Sequence, residues 1–551
     1  MADVNPPLSQ SQIPPHQEPS GKASAELHGK CLNLLGEIDE LQSLLNKTLR
    51  NPQLVEVRQF RSNVNSEFRM LQRLEEQMRA SNDSNGGELT SDAENKFIHA
   101  LRSSNLPFYQ AVWNIARGSC SGLVAMGKRF YWDRAAQPLE DKIKQNGEGS
   151  WEKKRPSKKK SKGVFVDIVA DDGDEWVKVS TISESRVLFD MAKKGWEKDS
   201  EDEFSDEDGD GPRKRTVLRN FNGENPKEDS DDEDDDELEL IKLARDLRKA
   251  ADASRVRYKH PRLRIVLPKI EEGSVDEIDD VLTEMRSYGI KVECQGSQPA
   301  STTQPELARL LPQPFKNFTS AVNIDCTLLL AIVSDLSHFE EIPIMPHLHR
   351  AIVRQIEVEK EQPLLPTELW PAMGNRELLC TKEAAKRMCE IVNTIGTETE
   401  KQRMELVMGN TSASQLDQES TIQKFQSLSD WQVPRDWALP VRIVDAQPAI
   451  DAAKKEGKLP SVADEVARDL SDINNSVFMY GWATGLTTIS SNRTIDKQIE
   501  VTIENSRKLD DDSLEGPQVW ICDTARSLVG KDSRSGSAIL PGMMGKDKDR
   551  G

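Results

Sequence analysis

The chain has 551 residues, 36% hydrophobic and 30% charged, with a formal net charge of −19. That charge is local. Residues 199–210 and 228–239 hold 18 acids and no lysine or arginine, and removing those 18 from the 93 acids leaves 75 against 74 basic residues. A near-neutral body excludes the broad basic footprint of a protein built to cover nucleic acid. The seven cysteines (Cys31, Cys120, Cys294, Cys326, Cys380, Cys389, Cys522) are scattered and never spaced C-x-x-C. This excludes a zinc ribbon or disulfide scaffold and points to a reducing compartment, cytoplasmic or nuclear. No run of 18 apolar residues is present to span a membrane.

Residues 1–23 begin "MADVNPPLSQSQIPPHQEPS" and read as a disordered leader without the apolar stretch of a signal peptide. From 24 to 145 the pattern is helical. Leu34, Ile38, Leu41 and Leu45 recur at three- and four-residue spacing, as do Val57, Phe60, Val64, Phe68 and Leu71. A third helix carries Phe97, Leu101, Phe108 and Val112. Breaks at "RNPQ" (50–53) and "SNDSNGGELTSDAENK" keep each helix short, so an antiparallel bundle is favoured over a long coiled coil. The linker 146–163 contains "KKRPSKKKSK", read as a solvated connection or as a nuclear-import or phosphate-binding patch.

Residues 164–294 read as a small α/β region. It opens with a hairpin, "VFVDIVADDGDEWVKVSTIS", and closes with the strand–helix–strand unit "RLRIVLP", "SVDEIDDVLTEMRSYG", "IKVEC". The hairpin pairs an acid with Glu175 and Lys178, an arrangement akin to the E-x-K nucleases but spaced E-x-x-K, which fits an ordinary hairpin better. The acidic insert 199–239 cannot bury enough apolar surface to order itself. Within it, Ser205 and Ser230 precede acids in the manner of acidophilic-kinase sites. A linker, 295–316, leads to 317–533, where strands ("AVNID", "PVRIV", "SVFMY", "LTTIS", "QVWIC") alternate with helices. That alternation predicts an α/β domain with a mostly parallel sheet. A disordered tail, 534–551, follows.

Asp325 lies where the strand "AVNI" meets the apolar helix starting at Cys326. In open α/β sheets, ligands bind beyond the carboxyl ends of strands, and Thr327 offers a hydroxyl beside the carboxylate. The plainer role for such an Asp is a helix N-cap. His338, His347 and His349, even with Cys326 nearby, lack the spacing of a zinc site. No phosphate-loop, dinucleotide-binding or nucleophile-elbow motif occurs, so haem, flavin and nucleotide cofactors have no support.

Six stretches carry a resemblance: "EFRMLQRLEEQ" (67–77), "HALRSSNLPFYQAV" (99–112), "VFVDIVADDGDEWVKV" (164–179), "VNIDCTLLLAIVSDLSH" (322–338), "IVNTIGTETEKQR" (391–403) and "LTTISSNR" (486–493). In this order they resemble an uncharacterised eukaryotic family with a PIN-like C-terminal domain, domain-of-unknown-function family 1308. The resemblance implies a nuclease-type fold in which three or four acids hold Mg²⁺ or Mn²⁺ and activate water against a phosphodiester. Carried over, the first acid is Asp325 and the second Glu383, with Glu390 as the fallback. The third position falls at Trp482 and the fourth at Asn492, neither of them an acid, and Asp445 is the replacement to test. Two readings follow. One is a degenerate nuclease domain serving as a binding or adaptor module for RNA, or for protein partners through the bundle and acidic insert. The other is a divalent-metal ribonuclease using Asp325 and Glu383, supported by Thr327 and Asn492.

Overall fold

Helix Ser20–Thr48 buries Cys31, Leu34, Ile38, Leu41 and Leu45 along one face, as three- and four-residue spacing requires. Helix Arg58–Ser84 does the same with Phe60, Val64, Leu71 and Met78. The third expected helix is two, Ser91–Arg102 and Leu106–Ser119. Pro107 stands in the first turn of the second, where its missing N–H leaves no helical bond unmade. The computed structural model describes residues 20–49, 51–84, 91–132, 162–194, 237–296, 307–344, 348–409, 417–508, 513–522 and 526–529. The leader through residue 19, nearly all of the basic linker, Ser205, Ser230, the acidic segment to 236, His347 and the tail lie outside them.

The chain divides into two units, one of 1–47, 53–254 and 261–312, the other of 48–52, 255–260 and 313–551. In the first, the helical part ends sooner than expected. Ala125–Tyr131 is a strand, β1, within the span read as bundle. It joins β2 (Gly163–Ala170), β3 (Glu175–Val179), β4 (Arg262–Leu267) and β5 (Ile290–Cys294) in a sheet of order β1-β2-β3-β4-β5. The first two pairings are antiparallel and the last two parallel. The predicted hairpin and strand–helix–strand unit are both present. The crossover from β3 to β4 contains helix Glu239–Asp252, which buries Leu240, Ile241, Ala244, Leu247, Ala250 and Ala251.

The second unit is an α/β domain whose five strands are all parallel: β6 (Ala321–Ile324), β7 (Glu377–Thr381), β8 (Arg442–Val444), β9 (Thr487–Ser490) and β10 (Val519–Ile521), in the order β10-β9-β6-β7-β8. All four residues of β6 are buried, as a central strand covered on both faces demands. The chain moves outward from β6 to β7 and β8, then returns to place β9 on the other side of β6. The gap between β6 and β9 is therefore the topological switch point, where doubly wound sheets open a crevice for ligands.

One expected strand is absent. "SVFMY" forms a π-helical turn, Asn475–Met479, that runs into helix Tyr480–Thr484. A short apolar run has no period that separates strand from buried helix. Here the polar partner decides: the Asn323 amide donates to the Val477 carbonyl (2.9 Å) and to Thr488 Oγ1 (3.1 Å). Gly481 lets this helix close on β9, since a Cβ there would lie 2.0 Å from Thr488 Oγ1.

Residues 255–260 form a hook belonging to the second unit. Val256 and Lys259 bridge across a tight turn in which Arg257 (φ 48°) and Tyr258 (φ 70°) both take left-handed backbone. Tyr258 packs on the second core, and Gly516 leaves room for its ring. Among the described residues, no helix is long and apolar enough to cross a membrane.

Candidate functional site

Asp325 follows the last residue of β6, with its N–H donating to the Ile489 carbonyl of β9 (3.0 Å). The register pairs Ile324 with Ile489 and Asn323 with Leu379. One step further, Asp325 stands between Ser490 of β9 and Thr381 of β7, at the carboxyl edge of the switch point. Its residue surface is 2% exposed. Although it is the N-cap residue of helix Cys326–Val333, its side chain makes no capping hydrogen bond. The carboxylate is turned instead to hydroxyls: Oδ2 accepts from Thr327 Oγ1 (2.6 Å) and from Ser490 Oγ (2.7 Å).

The hydroxyls are themselves held. Thr327 Oγ1 accepts from the Ser491 N–H (3.2 Å), and Ser490 Oγ accepts from the Asn492 N–H (2.9 Å). Asn492 caps helix Arg493–Ser506, its Oδ1 accepting from the Ile495 N–H (3.4 Å). So Thr327 touches Asp325, whereas Asn492 reaches it only through Ser490. Sequence reasoning missed Ser490, although "TTISSN" displays its hydroxyl beside the Asn it singled out.

Across β7, Thr381 caps helix Lys382–Ile395 and shares a hydrogen bond with Ser476 (3.0 Å). Glu383 is in the first turn of that helix, and its buried Oε2 has no partner among the described residues. Glu390 is further along, on the exposed side, 3.6 Å from Arg387. Asp445 is committed elsewhere: it caps helix Ala446–Lys455 and pairs with Lys382 at 2.6 Å, which holds its carboxyl below the usual range. Trp482 lies in the helix that feeds the start of β9, the end of the strand opposite Ser490. There it lines a shallow groove of about 520 Å³ with Ala449, Ala452 and Ala453. Among the described residues, no three His, Cys, Asp or Glu side chains gather to hold one metal ion. The Cys326 thiol beside the site is pushed up to about 12 by burial and by the Asp325 charge, so it is no nucleophile at neutral pH.

The far end of helix Cys326–Val333, roughly 12 Å away at 1.5 Å per residue, carries a second polar cluster. Asp335 and Arg403 form a fully buried ion pair at 2.7 Å. Thr397 and Glu400 form a capping box for helix Glu398–Met408. Burial and repulsion from Asp335 raise the Glu400 carboxyl to about 7. His338 is not a zinc ligand candidate here. Its Nε2 donates to the Ile332 carbonyl (2.6 Å), its Nδ1 lies 2.9 Å from Ser429 Oγ, and burial holds its pKa well below 6.5.

In the first unit, the acid of the hairpin is Asp167, buried and 3.1 Å from Lys178, while Glu175 pairs with Arg264 at 3.2 Å. Asp167 and Glu175 are thus each paired with a cation, Arg264 being shared with Glu293 (3.4 Å), as an ordinary sheet allows.

No protein of curated function and no solved structure matches the chain. Residues 322–432, from β6 to just past helix Gln418–Gln426, match the family described as "Protein of unknown function (DUF1308)". That is the family its motifs resemble.

Proposed function

We propose that the C-terminal α/β unit is a PIN-like nuclease fold that has lost its catalytic carboxylates and works as a binding module. The observation that carries this is the pair of hydroxyls on Asp325. A carboxylate poised for a hard divalent cation keeps its oxygens for the metal and is joined by further acids. Here Oδ2 is taken by Thr327 and Ser490, Asp445 is taken by Lys382, and the positions corresponding to the later acids are Trp482 and Asn492. The residues present do not fit a tightly held Mg²⁺ or Mn²⁺. The seven free thiols support an intracellular setting for the module.

The test is direct. Purified protein incubated with single-stranded RNA and Mn²⁺ is expected to cleave no faster than an Asp325→Ala variant. A tenfold or greater loss of cleavage in that variant would overturn the reading. A second reading, a divalent-metal ribonuclease, is favoured by one observation: the buried Glu383 Oε2, without a hydrogen-bond partner among the described residues, in the first helical turn after β7. It requires Mn²⁺-dependent cleavage that both Asp325→Ala and Glu383→Gln abolish.

A further inference from the structure

In the first unit, the arm of the β1–β2 hairpin carries an aromatic and basic face opposite the one it gives to the core. The register pairs Arg129 with Phe165 and Tyr131 with Gly163, so these positions share one face of the two strands. The alternate residues Phe130, Val164 and Val166 turn to the core, where the Phe130 ring stacks 3.7 Å from that of Trp176. Each aromatic on the outer face lies against a glycine of the neighbouring strand. A Cβ on Gly127 (φ 83°) would stand 3.0 Å from Phe165 Cζ, and one on Gly163 would stand 2.6 Å from Tyr131 Cδ1. Phe165 is 38% exposed, and Lys178 Nζ lies 5.4 Å from its ring centre.

Aromatic rings laid on glycines support a sheet by themselves, so the rings alone name no ligand. The charges beside them do. Arg129 is exposed directly across from Phe165, and Lys162 is exposed one residue before Gly163; neither makes an ion pair among the described residues. The nearby acid, Asp167, is buried and already held by Lys178 (3.1 Å) and by the Val179 N–H (2.7 Å). Lys162 also closes the run 153–162, in which seven of ten residues are basic. Ring faces beside unopposed cations suit a ligand that carries flat rings on an anionic chain, which is the chemistry of unpaired bases on a phosphate backbone. An acidic peptide would meet the cations without using the rings, and a double helix hides its base faces. A platform for a few bases needs only a few local cations, so the near-neutral body of the chain is no obstacle.

We propose that this face of β1 and β2 binds single-stranded nucleic acid, with Phe165 and Tyr131 stacking on bases and Arg129 and Lys162 holding the adjoining phosphates. The inference does not depend on the reading of the Asp325 edge, which belongs to the second unit.

The experiment uses the full chain and, as probe, a labelled oligouridylate of about 12 nucleotides, a length in the range that a stacking groove covers. A matching oligothymidylate, run in parallel, separates RNA from DNA as the source. Fluorescence anisotropy is expected to show binding to the wild-type chain, and at least fivefold weaker binding to Arg129→Glu and to Phe165→Leu. An unlabelled duplex of the same length is expected to compete at least tenfold less well than the unlabelled single strand. Absence of binding to the wild type, or equal competition by the duplex, overturns the proposal. So does binding that Phe165→Leu leaves unchanged, which would assign the affinity to the basic run alone. Should Phe165→Leu fail to fold, crosslinking to the wild-type chain decides. An iodouracil-substituted strand is expected to crosslink on irradiation to Phe165 or Tyr131, and crosslinks confined to other residues overturn the proposal.

Discussion

Asp325 accepts two hydroxyl protons, for which no other acceptor stands among the described residues, so truncating it does more than delete a charge. In Asp325→Ala, Thr327 and Ser490 lose their acceptor inside a nearly closed site, a change that costs roughly 1–3 kcal/mol when one side of a buried hydrogen bond is removed. Asp325→Asn keeps one acceptor oxygen and is expected to cost less than half as much. Urea unfolding of the two variants, compared at a common slope, checks the order. Asp325 itself was legible from sequence because an acid between an apolar strand and an apolar helix has few places to go. Its partners were not, since Ser490 is 165 residues away and meets it only through strand order.

At the scale of elements, Gly481 sets how closely the helix Tyr480–Thr484 approaches β9. Replacing glycine by alanine in a helix ordinarily gains about 1 kcal/mol. Here the new methyl would sit 2.0 Å from Thr488 Oγ1, and overpacking of this kind costs about 1–3 kcal/mol. Gly481→Ala is therefore expected to lower the melting temperature, and the double variant Gly481→Ala/Thr488→Ala to lose less than the two single changes summed. Four of the five strands of the second unit were legible because their apolar runs are bounded by turns and caps, whereas β7 and helices such as Arg350–Glu361 and Arg493–Ser506 were not picked out. "SVFMY" was not: a serine followed by four apolar or aromatic residues satisfies a strand and a buried helix equally, and the Asn323 amide that selects the helix lies on another element.

For the whole molecule, the opposed titrations of Glu400 and His338 predict a pH dependence. Glu400 is raised to about 7 in the folded state, above 4.5, so between those values the folded chain holds a proton the unfolded chain lacks. Stability from this group rises as pH falls. Asp496, raised to about 6 by burial and by Glu500, acts in the same direction lower down. His338 acts oppositely: its pKa is depressed, so the unfolded chain takes the proton first and stability is lost below pH 6.5. From pH 7.5 to 6.5 Glu400 prevails, and the second unit is expected to gain roughly 0.5 kcal/mol by linkage. Glu400→Gln should reverse the sign, a change that chemical denaturation at the two pH values detects. Nothing in the sequence forecast this, because the burial of Glu400 and His338 and the placing of Asp335 beside Glu400 are assembled by tertiary packing.

The hook at 255–260 has a practical consequence for anyone dividing this protein. A fragment starting at residue 313 contains every strand of the parallel sheet, yet leaves behind the Tyr258 ring, the Arg255 partner of Glu504 (3.5 Å) and the Lys259 partner of Glu515 (2.8 Å). The slot above Gly516 would then stand open to water, Glu515 would lose its Lys259 partner, and Glu504 would be left with Arg507 (2.8 Å). Gene fragments should therefore begin upstream of residue 255, carrying β4 and β5 of the first unit with them. The boundary between the two units is not a point in the sequence, and a cut placed by the family match alone would fall inside a working part.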